Sequence, residues 1–346
     1  MPRCRHAWLF VYPLAFAFVA FSSVLSRPAI AQTLEFVRER GFLVCGVSEG
    51  IPGFSITDAS GQWTGFDVDF CRAIAAAVLG DADKVKFRPL TAGEAESVLR
   101  MGEVDILSRS VSWRISLEAE ASLRFVGVTF FDGQALIVRR DLGIMSALEL
   151  SSAKICVLAG SPAEASVADY FNRNGMPFTA MSFERADDAR EAYEAKGCDA
   201  FVADLSRINA ERLLLAQPDD HIVLPEVLSK EPLGPVVRQG DDQWLTIAQW
   251  TLFTLINAEE LGITAENIDS LLFSESPTVR RLTDLDGRFA TALGLDPKWT
   301  YKVIKAVGNF GELFDRNLGV KSALGLQRGF NALWRNGGLI YAPELR

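Results

Sequence analysis

Residues 63–77, WTGFDVDFCRAIAAA, set a turn directly against a helix. Gly61 and Gly65 break the chain, Asp67 or Asp69 can cap the helix start, and Val68, Cys71, Ile74, Ala75 and Val78 recur at helical spacing. A short apolar run with β-branched residues, 43–47, precedes this unit and another, 85–89, follows it, so the segment reads β-α-β. A short helix over 94–101, a strand over 104–107 and an extended run over 134–139 complete a first lobe. The pattern restarts with a strand at 155–158, a helix at 162–174 and a strand at 198–203. An extended segment at 235–238 then crosses back, and a helix at 244–261 returns to the first lobe. Strands alternating with helices predict sheets covered on both faces, and two crossing strands make a hinge. The remainder, 262–346, reads as short helices separated by Gly and Pro.

The chain opens with Arg3 and Arg5, a mostly apolar run from Ala7 to Leu25, and Ala29-Ile30-Ala31. That is the pattern of a secretory signal peptide over 1–31, cleaved on export, with a retained anchor as the alternative. Cleavage leaves 315 residues with 32 basic against 44 acidic side chains, a net charge of −12, which argues against a nucleic-acid partner. A chain of that length exceeds one ordinary core, so two lobes are expected. Four cysteines remain for an oxidising compartment: Cys45, Cys71, Cys156 and Cys198. Three pairings are possible. The one that avoids stapling the lobes together joins Cys45 to Cys71 and Cys156 to Cys198, and free buried thiols are the alternative. With His221 the single remaining histidine and no Cys-x-x-Cys spacing, neither a metal site nor a cofactor is expected.

The wording of 63–77, together with Ala306-Val307-Gly308-Asn309-Phe310-Gly311, Asp315-Arg316-Asn317, Asn331-Ala332-Leu333-Trp334 and Tyr341-Ala342-Pro343 in the tail, resembles periplasmic solute-binding proteins of polar amino-acid ABC transporters. The resemblance is especially to the general L-amino-acid receptors and runs from about residue 33 to the C-terminus. It implies the α/β type II periplasmic binding protein fold, with two lobes, each a mixed, mostly parallel sheet with helices on both faces, joined by two hinge strands and carrying a helical C-terminal extension. Residues 32–139 and 236–346 would form lobe 1 and residues 140–235 lobe 2. The implied function is a periplasmic, monomeric receptor that closes around an amino acid or related amine and delivers it to the ABC permease subunits. A sensor or non-transporting paralogue with an altered ligand is the alternative within the binding class.

Ligands of open α/β sheets sit beyond the carboxyl ends of strands, where loops and helix N-termini converge. After the first strand, Ser48 is a candidate, and the resemblance implies apolar cover of the ligand by Ile51 and Phe54, with a core role for Phe54 as the alternative. After the third, Ser110 and Ser112 offer hydroxyls, with Ser112 also able to cap the next helix. In the resembled family an Arg five residues beyond the position of Ser112 clamps the ligand carboxylate; Leu117 stands there here. After 155–158, Ser161 is a candidate, but Pro162 replaces a Thr of that family and has neither hydroxyl nor N–H. Asp204 matches the family aspartate that pairs with the α-amino group, against the simpler role of capping the helix from Leu205. A carboxylate therefore needs another cation, and Arg114 and Arg109 are the candidates. The enzyme alternative rests on Gly46-Val47-Ser48-Glu49-Gly50, which matches Gly-x-Ser-x-Gly, with Asp204 and His221 following in hydrolase order. That motif needs a helix to start at once, and Pro52-Gly53 prevent it, so no enzymatic activity is expected.

Overall fold

A computed structural model describes Met1, residues 33–283 and residues 287–346; the signal-peptide reading of 1–31 lies outside the described residues. The strands are β1 (Leu43–Val47), β2 (Ile56–Thr57), β3 (Trp63–Thr64), β4 (Val85–Pro89), β5 (Ile106–Ser112), β6 (Leu123–Phe125), β7 (Phe130–Asp132), β8 (Gln134–Arg139), β9 (Lys154–Leu158), β10 (Thr179–Phe183), β11 (Ala200–Asp204), β12 (His221–Val223) and β13 (Glu231–Arg238). They form two main sheets, β4-β1-β5-β13-β6 with β7 also on β13, and β10-β9-β11-β8-β12; β2 and β3 pair as a small hairpin. In each sheet the first three strands run parallel and the remaining pairings are antiparallel. The expected mostly parallel sheets thus hold for β4-β1-β5 and β10-β9-β11, whereas every strand next to a crossing runs against its neighbour.

The helices that matter for the cleft are α1 (Thr33–Arg40), α2 (Phe66–Leu79), α3 (Ala92–Arg100), α4 (Ile115–Ala119), α5 (Pro162–Arg173), α6 (Ala186–Glu194), α7 (Leu205–Leu214) and α8 (Asp242–Glu260). The alanines of α2 are buried, and their small side chains let α8 and the tail helix 299–307 pack against it. Cys45 on β1 and Cys71 on α2 form one disulfide, Cys156 on β9 and Cys198 before β11 the other, so each bridge ties a strand of its own lobe. Among the described residues no helix is long and apolar enough to cross a membrane.

The division between lobes falls earlier in each crossing than the sequence suggests. Residues 134–139 do not end the first lobe: β8 pairs with β11 and β12 in the second sheet. Conversely β13 lies in the first sheet from Glu231 onward, paired with β7. The chain therefore crosses at Asp132–Gln134 and returns at Leu228–Lys230, and the two crossings touch. Leu228 N–H donates to the Gln134 carbonyl at 2.8 Å, and Gln134 N–H donates to Ser229 Oγ at 3.0 Å. Gly133 is required there, because a Cβ would come 2.5 Å from the Ser229 carbonyl oxygen. Hydrophobicity alone does not mark this boundary, since β8 is buried along its whole length and an apolar strand fits either sheet.

The C-terminal extension braces both the crossing and α2. The Asn331 side-chain amide bonds the backbone of Phe131 in both directions, at 2.6 and 3.0 Å. Arg316 and Asn317 reach Asp69 on α2, at 2.8 and 2.7 Å.

Candidate functional site

A cavity of about 510 Å³ opens between the two sheets. The first lobe contributes the loop 50–54 and the end of β5. That loop is fixed from behind by Gly65, whose φ of 134° and lack of a Cβ let the start of α2 approach Phe54; a Cβ at Gly65 would lie 2.1 Å from the Phe54 carbonyl oxygen. Ile51 and Phe54 line the cavity as expected. Phe54 is also core, packed edge-on against Phe66 and Phe130 with ring centroids 6.4 and 5.3 Å away.

The C-terminal half of β5, where its register against β13 shifts, carries polar residues to the cleft. Ser108 and Ser110 point to one side, where their hydroxyls donate to the buried carboxylate of Asp67 at 3.2 and 2.8 Å. Ser110 and Ser112 line the cavity. Burial is the main reason the Asp67 carboxyl is pushed up to about 6, opposed by the two serines and by the positive charge of Arg109. Ser110 holds a φ of 55°, a left-handed conformation uncommon for serine, at the point where it faces the cleft.

Three of the expected residues are elsewhere. Ser48 is buried with its hydroxyl paired to Ser55, outside the cavity lining. Arg109 is part-buried, its charge acts on Asp67, and it is absent from the lining. Arg114 is half-exposed and ion-paired with Glu96 on α3. The helix does not start at Ser112 as the capping argument has it, because Ser112 is still paired in β5 opposite Leu233; α4 begins at Ile115, and Arg114 turns outward. Leu117 is fully buried in the cluster holding Val111, Leu123 and Phe125, so its apolar side chain serves the first lobe's core. The hydrolase order dissolves in space as well, with His221 on β12 bonded through Nδ1 to the Tyr193 hydroxyl at 2.7 Å.

The second lobe presents the ends of β9 and β11. Ser161 lies in a smaller adjoining cavity with Pro162, Asp204 and Arg207, its hydroxyl spent on the Leu158 carbonyl at 2.6 Å. Asp204 is the last residue of β11 and stands at the N-cap position of α7, yet its side chain makes no capping bond. The cap comes from another strand. Asp132, where the chain leaves the first sheet, accepts hydrogen bonds from the backbone N–H and the hydroxyl of Ser206 in the first turn of α7. Asp204 is thereby left to face the cavity, and among the described residues its side chain is bonded only by the side-chain amide of Gln134. Burial pushes the Asp132 carboxyl up to about 6, with Ser206 and the Gly133 amide opposing and the charge of Asp204 adding to the rise.

Sequence reasoning did not single out Asp132, Ser206, Asp187, Arg190, Arg207, Glu211 and Glu231, all of which line the cavity. Arg207 and Glu211 were legible as an i, i+4 pair just after Asp204. The trans-capping by Asp132 was not, because it joins residues 74 positions apart.

Comparison with known proteins gives this geometry a family. Residues 43–267 match the model of bacterial extracellular solute-binding proteins, family 3. The chain belongs to that family. It is similar to the general L-amino acid-binding periplasmic protein AapJ of Rhizobium johnstonii, 48% identical over 94% of this chain and 96% of that protein. It is also similar to the glutamate/glutamine/aspartate/asparagine-binding protein BztA of Rhodobacter capsulatus, 42% identical over 96% of this chain and 98% of that one. Among solved structures, an ABC transporter periplasmic binding protein from Brucella ovis with glutathione bound superposes with a TM-score of 0.83, at 46% identity, over 91% of this chain and all of that one. This solute-binding protein therefore shares nearly its full length, the C-terminal extension included, with its relatives.

Proposed function

We propose that the protein is a periplasmic receptor that closes its two lobes around an amino acid or related amine and hands it to the permease of an ABC transporter. The observation that carries the reading is the uncapped carboxylate of Asp204, released by the Asp132–Ser206 bond and lining the same cavity as Ser110 and Ser112 of the other lobe. Asp204 pairs with the ligand ammonium, the hydroxyls of Ser110 and Ser112 orient the ligand, and Ile51 with Phe54 covers its side chain. A buried, hydrogen-bonded charge pair of this kind is typically worth about 2–5 kcal/mol to binding when one partner is removed.

Thermal-shift and calorimetric titration of the exported protein against L-amino acids and their amine analogues tests the reading. A saturable rise in melting temperature is expected, with Asp204→Asn weakening every amine-bearing ligand by tens of fold or more; an indifferent Asp204→Asn variant refutes it. A small peptide is the second reading, favoured by the cavity volume and by the glutathione in the Brucella ovis structure. Glutathione belongs in the same titration.

A further inference from the structure

A ligand with a free carboxylate cannot be buried in this cleft without a cation, since an unpaired buried carboxylate is costly and the lining is already rich in acids, with Asp132, Asp187, Asp204, Glu211 and Glu231. Among the described residues, Arg190 and Arg207 are the cations of the lining. They stand in a row of alternating charge across α6 and α7. Asp187 meets Arg190 at 2.9 Å, Arg190 meets Glu211 at 2.9 Å, and Glu211 meets Nε of Arg207 at 3.1 Å. Arg190 is flanked by acids on both sides, and its side chain is only 17% exposed.

Arg207 is the open end of that row. Glu211 accepts from its Nε, while no described residue accepts from its two terminal nitrogens, and its side chain is 46% exposed. The remaining edge of the guanidinium is the face that binds a carboxylate through two parallel hydrogen bonds. Arg207 also lines both the main cavity and the adjoining one bounded by Ser161 and Pro162, and in each it stands with Asp204. Asp204 is at the N-cap position of α7 and Arg207 three residues further on, so the two side chains fall on neighbouring positions of one helix end. An α-amino acid carries its ammonium and carboxylate on the same carbon, which suits one acid and one arginine that close together.

We propose that Arg207 is the carboxylate-binding residue of this receptor, so that both charged ends of the ligand are held by the second lobe. The proposal rests on the amino-acid reading given above. It assigns the first lobe the tasks of hydrogen bonding through Ser110 and Ser112 and of apolar cover, with no charge contact of its own.

The test uses calorimetry on the mature protein and its variants with two series of probes: L-arginine, L-argininamide and agmatine, and L-glutamine with L-glutaminamide. In the unmodified protein the free acids are expected to bind at least about 30-fold tighter than the matching amides or amine, the size of effect typical of a buried charge contact. Arg207→Gln should weaken the acids by that factor or more and change the amides less than about threefold, erasing the preference. Arg207→Lys should recover part of it, and that variant keeps the charge beside Glu211 should the glutamine variant not fold. Acids and amides weakened alike, or acids unaffected by Arg207→Gln, overturn the proposal. Amides and amines that bind the unmodified protein better than the acids also overturn it while leaving the receptor reading in place. Binding of none of the probes overturns both.

Discussion

Two buried carboxyls, Asp67 behind Ser110 and Asp132 behind Ser206, are both pushed up to about 6, and this fixes the sign of a pH effect. A folded value above the unfolded one, near 3.8, means the native state binds protons more readily. The contribution to stability is then present at low pH and lost as pH rises through about 6. Asp67→Asn, which keeps an acceptor and a donor for the two serines, should raise the melting temperature at pH 7.5. The gain should be up to about 3 kcal/mol and should shrink to about 1 kcal/mol at pH 4.5; scanning calorimetry at the two pH values checks it. Leu117→Arg should do the reverse at every pH, because it places a charge in the Val111–Phe125 core, and a cost above about 3 kcal/mol is expected in denaturant titration. Gly65→Ala should cost more than about 1 kcal/mol through its φ and its clash with Phe54, and should weaken ligand binding by moving the loop 50–54.

At the scale of elements, each disulfide closes a loop inside one lobe, of 26 and 42 residues. Each contributes about 3–4 kcal/mol in the chain-entropy account. Reduction should therefore lower the melting temperature in the unliganded protein without preventing binding, and peptide mapping of the exported protein should recover the two intralobe links and no cross-lobe one. The strands and helices that carry the cleft were readable from the sequence, because the ligand side of an open sheet follows from strand ends alone. Ser110 and Ser112 were placed on that basis, and Ile51 and Asp204 by the family resemblance. What misled was parity and length. Extending β5 through Ser112 moves the helix start by three residues and sends Arg114 outward, and the register shift of β5 against β13 between Leu107 and Val111 interrupts the simple alternation on which Arg109 was placed. Neither follows from a linear motif, since both depend on where β13 lies alongside. The assignment of β8 failed for a related reason: a strand buried along its whole length, with an apolar centre, carries no mark of the sheet it joins.

For the whole molecule, the paired crossings at Asp132–Gln134 and Leu228–Lys230 are the flexible link of the proposed closure. Solution scattering should show a smaller radius of gyration with a saturating ligand than without one. An unchanged radius would count against closure. Asn331, whose side chain grips Phe131 beside the first crossing, should restrain that motion, so Asn331→Ala is expected to change the radius of the unliganded protein more than that of the liganded one.

The contact between those crossings has a further consequence. Because Gln134 bonds both Leu228 and Ser229, the segment that leaves the first sheet and the segment that returns to it begin and end at one point. Everything between is a continuous stretch with its own sheet, its own bridge and its own apolar clusters. Such a stretch is a cassette: its ends meet, so it can be lifted out, joined by a short linker, or exchanged between relatives without rerouting the rest of the chain. With Asp204 and Arg207 both inside it, a chimaera carrying this cassette on a relative's first lobe should inherit the charge preference of the donor, while the face presented by the first lobe stays that of the host.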